Sequence, residues 1–130
     1  MALERISPEE AKQKLDSEEG YVYLDVRSSG EFAQGRAPGA VNVPILEQGP
    51  MGMAPNANFL SDCESQFHKE TKIITACLRG GRSMRAASIL IEAGFVNVVD
   101  MRGGFDGELG PGGEVVYEGW SRRGLPTTSE

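Results

Sequence analysis

The stretch Ile73-Ile74-Thr75-Ala76-Cys77-Leu78-Arg79-Gly80-Gly81-Arg82-Ser83-Met84 reads as a strand, a tight glycine-bearing loop and the start of a helix. Residues 73–76 are apolar and partly β-branched, the composition of a buried strand. Beyond the loop, Met84, Ala87 and Ile91, and then Ala86, Ile89 and Leu90, recur at helical intervals, and Gly94 stands as the stop. Cys77 therefore falls where a sheet ends and a helix begins. In such a loop, unpaired N–H groups and the positive end of the helix converge on one hollow, which suits an anion. A thiol placed there is favoured in its thiolate form. The reading is a cysteine nucleophile in an anion-binding cradle.

Outward from that stretch, short strands and helices alternate. Ser7-Pro8-Glu9-Glu10 has an N-cap serine, a first-turn proline and a glutamate at the capping-box position, so a helix runs to about Leu15 or Asp16. Tyr21 to Val26 is apolar at nearly every position, which predicts an interior strand. Ser28 to Gln34 reads as a short helical turn. Gly35 to Ala40 is a turn-rich connector, and Val41-Asn42-Val43 is a short strand limited by Pro44. Glu47 to Asn58 is loop-like, Phe59 to His68 reads as a helix, and Phe95 to Met101 as a strand broken by Gly103-Gly104. The glycine-rich stretch Phe105 to Glu118 reads as a long loop with room for a strand pair around Val115-Val116-Tyr117. This alternation predicts an α/β domain with a mainly parallel sheet. The active site then belongs at the carboxyl ends of the strands, where Cys77 lies.

Composition bounds the partners. The chain has 130 residues, 39% hydrophobic and 25% charged, as expected of a single folded domain over residues 1–130. A net charge of −6 disfavours nucleic acid or an anionic membrane as the main partner, since both need a basic face. No apolar run approaches the ~20 residues that span a bilayer. Met1 to Ile6 lacks the basic-then-apolar pattern of a secretory signal. The two cysteines, Cys63 and Cys77, and the single histidine, His68, make neither a disulfide framework nor a metal cluster. The expectation is a cytoplasmic protein with reduced thiols, no metal and no cofactor, a monomer or weak dimer.

Three groups of residues carry a resemblance. Leu24-Asp25-Val26-Arg27 with Glu31-Phe32 and Pro38-Gly39-Ala40-Val41-Asn42-Val43-Pro44 form the first. The Cys77 to Ser83 loop is the second. Ala93 to Val98, Arg102-Gly103-Gly104-Phe105, and Trp120 with Gly124-Leu125-Pro126 form the third. In this order they resemble the rhodanese-like (sulfurtransferase) family over nearly the whole chain. The stretch holding Gly52 to Asn56 and Phe59-Leu60 is similar to that of its small single-domain members.

The resemblance implies a central, mainly parallel sheet of about five strands with helices on both faces. It also implies sulfur transfer in two steps. Cys77 takes the outer sulfur of a small anionic donor such as thiosulfate as a persulfide, then passes it to a thiol, cyanide or thioredoxin-like acceptor. Leu78, Arg79, Gly80, Gly81, Arg82 and Ser83 would bind substrate, with loop amides around the sulfur and Arg79 and Arg82 as cations. Arg82 has a second reading, as a brace of the loop. Asp25, Arg27 and Glu31 would form a supporting network at a strand end. Arg36 replaces the family's usual histidine, a surface change. The stretch from Gly104 to Trp120, longer than usual, implies altered access for the acceptor.

Two rivals share these residues. A cysteine phosphatase or arsenate reductase uses the same thiolate-in-a-nest principle, but only Leu78, Arg79, Gly80 and Gly81 separate Cys77 from Arg82, one fewer than in those loops. A non-catalytic sulfur carrier or interaction module is the other rival, and such modules often lack the cysteine that this chain keeps. Elsewhere bland readings prevail. Cys63, between Asp62 and Glu64, is a structural thiol. His68 is a solvated residue near a helix end. Met51 and Met53 line an apolar rim or anchor a loop, and Arg85 is solvated. Trp120 packs the C-terminal segment, and residues 108, 114 and 118 form a solvated acidic face.

Overall fold

The computed structural model describes residues 3–130. Its centre is a sheet of β1 (Arg5–Ile6), β2 (Val22–Asp25), β3 (Val41–Asn42), β6 (Ile73–Ala76) and β7 (Val98–Met101), in the order β1-β7-β6-β2-β3. Every neighbouring pair is parallel. Parallel strands need covered crossovers, and the helices supply them. On one face α3 (Phe59–Gln66) and α4 (Gly81–Glu92) bury Phe59, Cys63, Ala86, Ala87 and Leu90 against Leu24, Val26 and Ile73. On the other, Ala11 of α1 (Pro8–Asp16) and Trp120 of the 3-10 turn Trp120–Arg122 cover Tyr23, Ile74 and Met101. All four residues of β6 are buried, as its apolar sequence requires of the central strand.

Helix starts follow the sequence closely. Ser7 caps α1 and Ser28 caps α2 (Ser29–Gln34), each with a glutamate three residues on completing a capping box. Trp120 packs edge-on to Tyr23, with ring centroids 5.6 Å apart, and donates its indole N–H to the carbonyl of Pro126.

The structure corrects several boundaries. The segment expected as a loop from Glu47 to Asn58 contains a hairpin, β4 (Leu46–Gly49) with β5 (Gly52–Pro55), and Met51 at its turn is fully exposed rather than lining a rim. The glycine-rich stretch after Gly104 does hold the strand pair expected around Val115-Val116-Tyr117, as a second hairpin of β8 (Gly107–Leu109) with β9 (Val115–Glu118). Strand β1 was not anticipated, because two residues are too few to show a period. Helix α3 ends at Gln66 and β7 begins at Val98, each shorter than read. No helix among the described residues is long and apolar enough to cross a membrane.

Candidate active site

Strand register brings the site together before any side chain is considered. Asp25 pairs in register with both Ala76 and Asn42, and Thr75 with Asp100, so the carboxyl ends of β2, β3, β6 and β7 meet around residue 77. Cys77 leaves β6 there, and α4 begins four residues later. The N-cap of α4 is Gly80, with φ +116° and no side chain to cap the first turn. Only glycine takes that backbone angle without strain, and its lack of a side chain leaves the first-turn N–H groups to other acceptors. The Gly80 N–H points at the Cys77 sulfur, 3.0 Å away. The Cys77 thiol in turn lies 3.5 Å from the Ser83 hydroxyl, which donates to the Gly80 carbonyl. Of the amides from Leu78 to Ser83, Gly80's alone donates to the sulfur among the described residues. The expected ring is a single aimed amide at a helix head.

Cys77 is 2% exposed. Such burial keeps bulk water from the sulfur and restricts attack to reagents whose reacting atom sits on a small terminal group. The loop is also clamped from outside. Its carbonyls at Cys77 and Leu78 accept from the N–H groups of Phe105 (2.7 Å) and Asp106 (3.0 Å). Gly104 lies so close that a Cβ there would stand 2.5 Å from the Cys77 carbonyl oxygen.

Behind the loop lies a polar cluster that the sequence reading missed. Asp100, fully buried on β7, accepts from the Thr75 hydroxyl at 2.9 Å and from Arg5 Nε at 3.1 Å. Burial raises its carboxyl above the ordinary range, against the pull of Ser83, Thr75 and Arg5. Ser83 thus touches both Cys77 and the surroundings of Asp100. The available signal was an aspartate inside the apolar run Val98-Val99-Asp100-Met101, since an unpartnered buried charge is rare.

Residues 7–107 match the family profile of the rhodanese-like domain. The chain belongs to that family. It is 43% identical over 108 residues to Thiosulfate sulfurtransferase 16, chloroplastic, of Arabidopsis thaliana, covering 83% of this chain and 80% of that protein. It is 42% identical over 86 residues to Senescence-associated protein DIN1 of Raphanus sativus, where it spans 66% of this chain but only 47% of the relative's length. The crystal structure of Rv0390 from M. tuberculosis superposes with a TM-score of 0.83 at 27% identity, covering 100% of both chains. The protein is thus a rhodanese-like domain whose relatives include named sulfurtransferases, which supports sulfur transfer in general terms.

Within this rhodanese-like site the supporting residues divide differently from expectation. Asp25 and Arg27 do form a buried ion pair, with Nη2 to Oδ2 at 2.7 Å. Arg27 also donates to the Gly35 carbonyl at 2.7 Å and lies over the Phe105 ring. Removing one partner of such a buried pair costs roughly 3–5 kcal/mol. Asn42, not singled out from sequence, fastens the same strand end by donating to the carbonyls of Asp25 and Arg27 at 3.0 Å each.

Glu31 does not join that network. It pairs with Arg82 through two bonds, at 2.8 and 3.0 Å, and the guanidinium lowers its carboxyl to about 2. Arg82 is therefore a brace between α2 and α4. Arg79 is likewise engaged, donating to Asp106 at 2.6 Å and to the Gly107 carbonyl. Neither arginine is the unpartnered cation that a donor-binding role implied. Asp106 also accepts from Arg122, and Glu108, one residue of the expected acidic face, pairs with Arg102. Cys63 keeps its structural reading: burial first, then Asp62 and Glu64, push its thiol up to about 12.

Proposed function

We propose that this rhodanese-like domain moves a sulfane sulfur from a small anionic donor, thiosulfate by preference, to a thiophilic acceptor through a persulfide on Cys77. One observation carries the reading: the sulfur at the end of the central strand accepts the Gly80 N–H at the head of a 12-residue helix. A thiolate there is stabilised by that amide and by the helix dipole. Its attack on the outer sulfur of thiosulfate forms the Cys77 S–S bond and expels sulfite with the bonding pair. An acceptor thiolate, cyanide or a thioredoxin-like protein then attacks the outer sulfur and returns the Cys77 thiolate, with no net oxidant required. Ser83, on rotating its hydroxyl from the Gly80 carbonyl, supplies a second donor to the charged sulfur.

The relative's name, Thiosulfate sulfurtransferase 16, supports the donor class. The phosphatase rival is disfavoured by geometry as well as spacing. Its chemistry needs an arginine facing the anion, and Arg82 is committed to Glu31. The test is mass spectrometry after thiosulfate treatment together with steady-state turnover. We expect a gain of one sulfur on Cys77 and none on Cys63, with turnover in Cys77→Ser at the uncatalysed rate. Equal turnover in Cys77→Ser would remove the proposal.

A further inference from the structure

The proposed chemistry puts a negative charge on a sulfur that is 2% exposed, so the charged groups facing it from each neighbouring element matter. Most of them are closed pairs. At the end of β2, Asp25 is held by Arg27. In the loop, Arg79 is held by Asp106, and on α4 Arg82 is held by Glu31. Tyr23, also on β2, is buried, and that burial lifts its phenol well above the usual range and keeps it neutral. From β7 comes Asp100, whose side chain is fully buried.

Asp100 is the neighbour that opposes a thiolate. Ser83 lies beside its carboxyl, and the same hydroxyl is 3.5 Å from the Cys77 sulfur. One hydroxyl thus separates two acidic groups in a place closed to bulk water. Two negative charges so near disfavour each other, and burial leaves little solvent to screen them. Thr75 donates to the carboxylate at 2.9 Å, but a neutral hydroxyl does not cancel its charge. Only a cation does.

That cation comes from the two-residue strand β1. Arg5 pairs in register with Asp100, and its Nε donates to Oδ2 at 3.1 Å. From there the guanidinium reaches the cysteine loop: a Cβ built on Gly80 would stand 3.0 Å from Arg5 Nη2. Gly80 is the residue whose N–H meets the sulfur, also at 3.0 Å. Arg5 therefore touches Asp100 with one edge and the turn that carries the sulfur's amide donor with another. Its side chain is 29% exposed, so solvent screens part of its field.

We propose that Arg5 is a positioning residue for the sulfur chemistry, cancelling Asp100 so that Cys77 can carry negative charge, first as thiolate and then as persulfide. The inference rests on the sulfur-transfer reading above and adds to it a residue far from the cysteine loop in sequence. Without Arg5, the uncompensated carboxylate opposes the thiolate. Without Asp100, the unopposed guanidinium favours it. A pair that merely held the fold together would not give effects of opposite sign.

The test titrates Cys77 in the full chain by the ultraviolet absorbance of its thiolate, with Cys77→Ser subtracted as the blank. Arg5→Met keeps an unbranched stem and removes the charge, and should move the midpoint up by about one pH unit. Asp100→Asn should move it down, and the double variant should return close to wild type. Persulfide formation from thiosulfate should slow about tenfold in Arg5→Met below its midpoint and recover above it. Shifts of the same sign in the two single variants, or an Asp100→Asn midpoint equal to wild type, overturn the proposal. Asp100→Asn leaves only a partly exposed arginine unpaired, so it decides the matter even where Arg5→Met fails to fold. Opposite shifts with no sulfur added to Cys77 in any variant would support the role of Arg5 while sinking the sulfur-transfer reading.

Discussion

The two hairpins, β4–β5 and β8–β9, both lie outside the main sheet and flank the same cysteine loop, yet they meet it in different ways. The segment entering β8 touches the loop through backbone. Phe105 and Asp106 donate to the carbonyls of Cys77 and Leu78, and Gly104 passes within a Cβ's reach of the same groups. Asp106 adds ion pairs to Arg79 and Arg122. Hairpin β4–β5 has no such grip. Its contribution is the apolar wall of Leu46 and Pro55 opposite α4, and its tip, Met51, is fully exposed. One hairpin sets the loop's shape, and the other walls a hollow beside α4. Close backbone contact gives a rigidity that a side-chain wall does not.

Glycine substitutions put the sharpest pressure on that contrast. Gly104 has φ +62° and no space for a Cβ, whereas Gly52, at the β4–β5 turn, has φ +102° and nothing within 4 Å. Gly104→Ala combines backbone strain with a clash against the loop itself, so a loss of roughly 3 kcal/mol or more is expected, with sulfur transfer lost alongside. Gly52→Ala bears the strain alone, about 1 kcal/mol, and leaves turnover intact. Urea denaturation midpoints and thiosulfate turnover on both variants measure the difference. Equal destabilisation by the two, or an active Gly104→Ala, would erase the distinction.

How much of this was legible beforehand depends on range. The capping boxes at Ser7 and Ser28, the buried β6 and the helix after Cys77 all follow from residues within a few positions of each other. So did the placement of Cys77 at the strand end. Hairpin β4–β5 escaped because its strands lack alternation, whereas the strand pair expected around Val115-Val116-Tyr117 is present as β8–β9, with a register shift between Glu108 and Leu109. The partners of charged residues escaped for a different reason. Arg82 meets Glu31 across 51 positions and Arg5 meets Asp100 across 95, and no local pattern encodes such pairs. Of the two readings offered for Arg82, its pair with Glu31 favours the brace, and Arg79 is held by Asp106: sequence shows a cation, and only the fold shows whether it is already spoken for.

The Arg82 brace offers a gentler way to sharpen the comparison, because it borders the β4–β5 side and is electrostatic rather than steric. Met53 and Leu46 of that hairpin share a shallow hollow with Glu31 and Arg82, and Glu47 accepts from the Ser29 N–H. Glu31→Gln removes the charge while keeping an amide able to serve the capping box at Ser28. Because the Glu31 carboxyl is lowered from 4.5 to about 2, its contribution is fully present above pH 4.5 and fades as pH falls toward 2. Discounting for the pair's partial exposure to solvent leaves about 1 kcal/mol at neutral pH. The stability gap between wild type and Glu31→Gln should therefore be flat from neutral pH down to about 5 and close progressively in more acid solution. Rising salt should also narrow it. The Gly104→Ala loss has no titrating group behind it and should hold across the same range. Parallel curves for wild type and Glu31→Gln down to about pH 2.5 would mean that the brace carries no differential charge energy. The loop would then be held from the β8–β9 side alone.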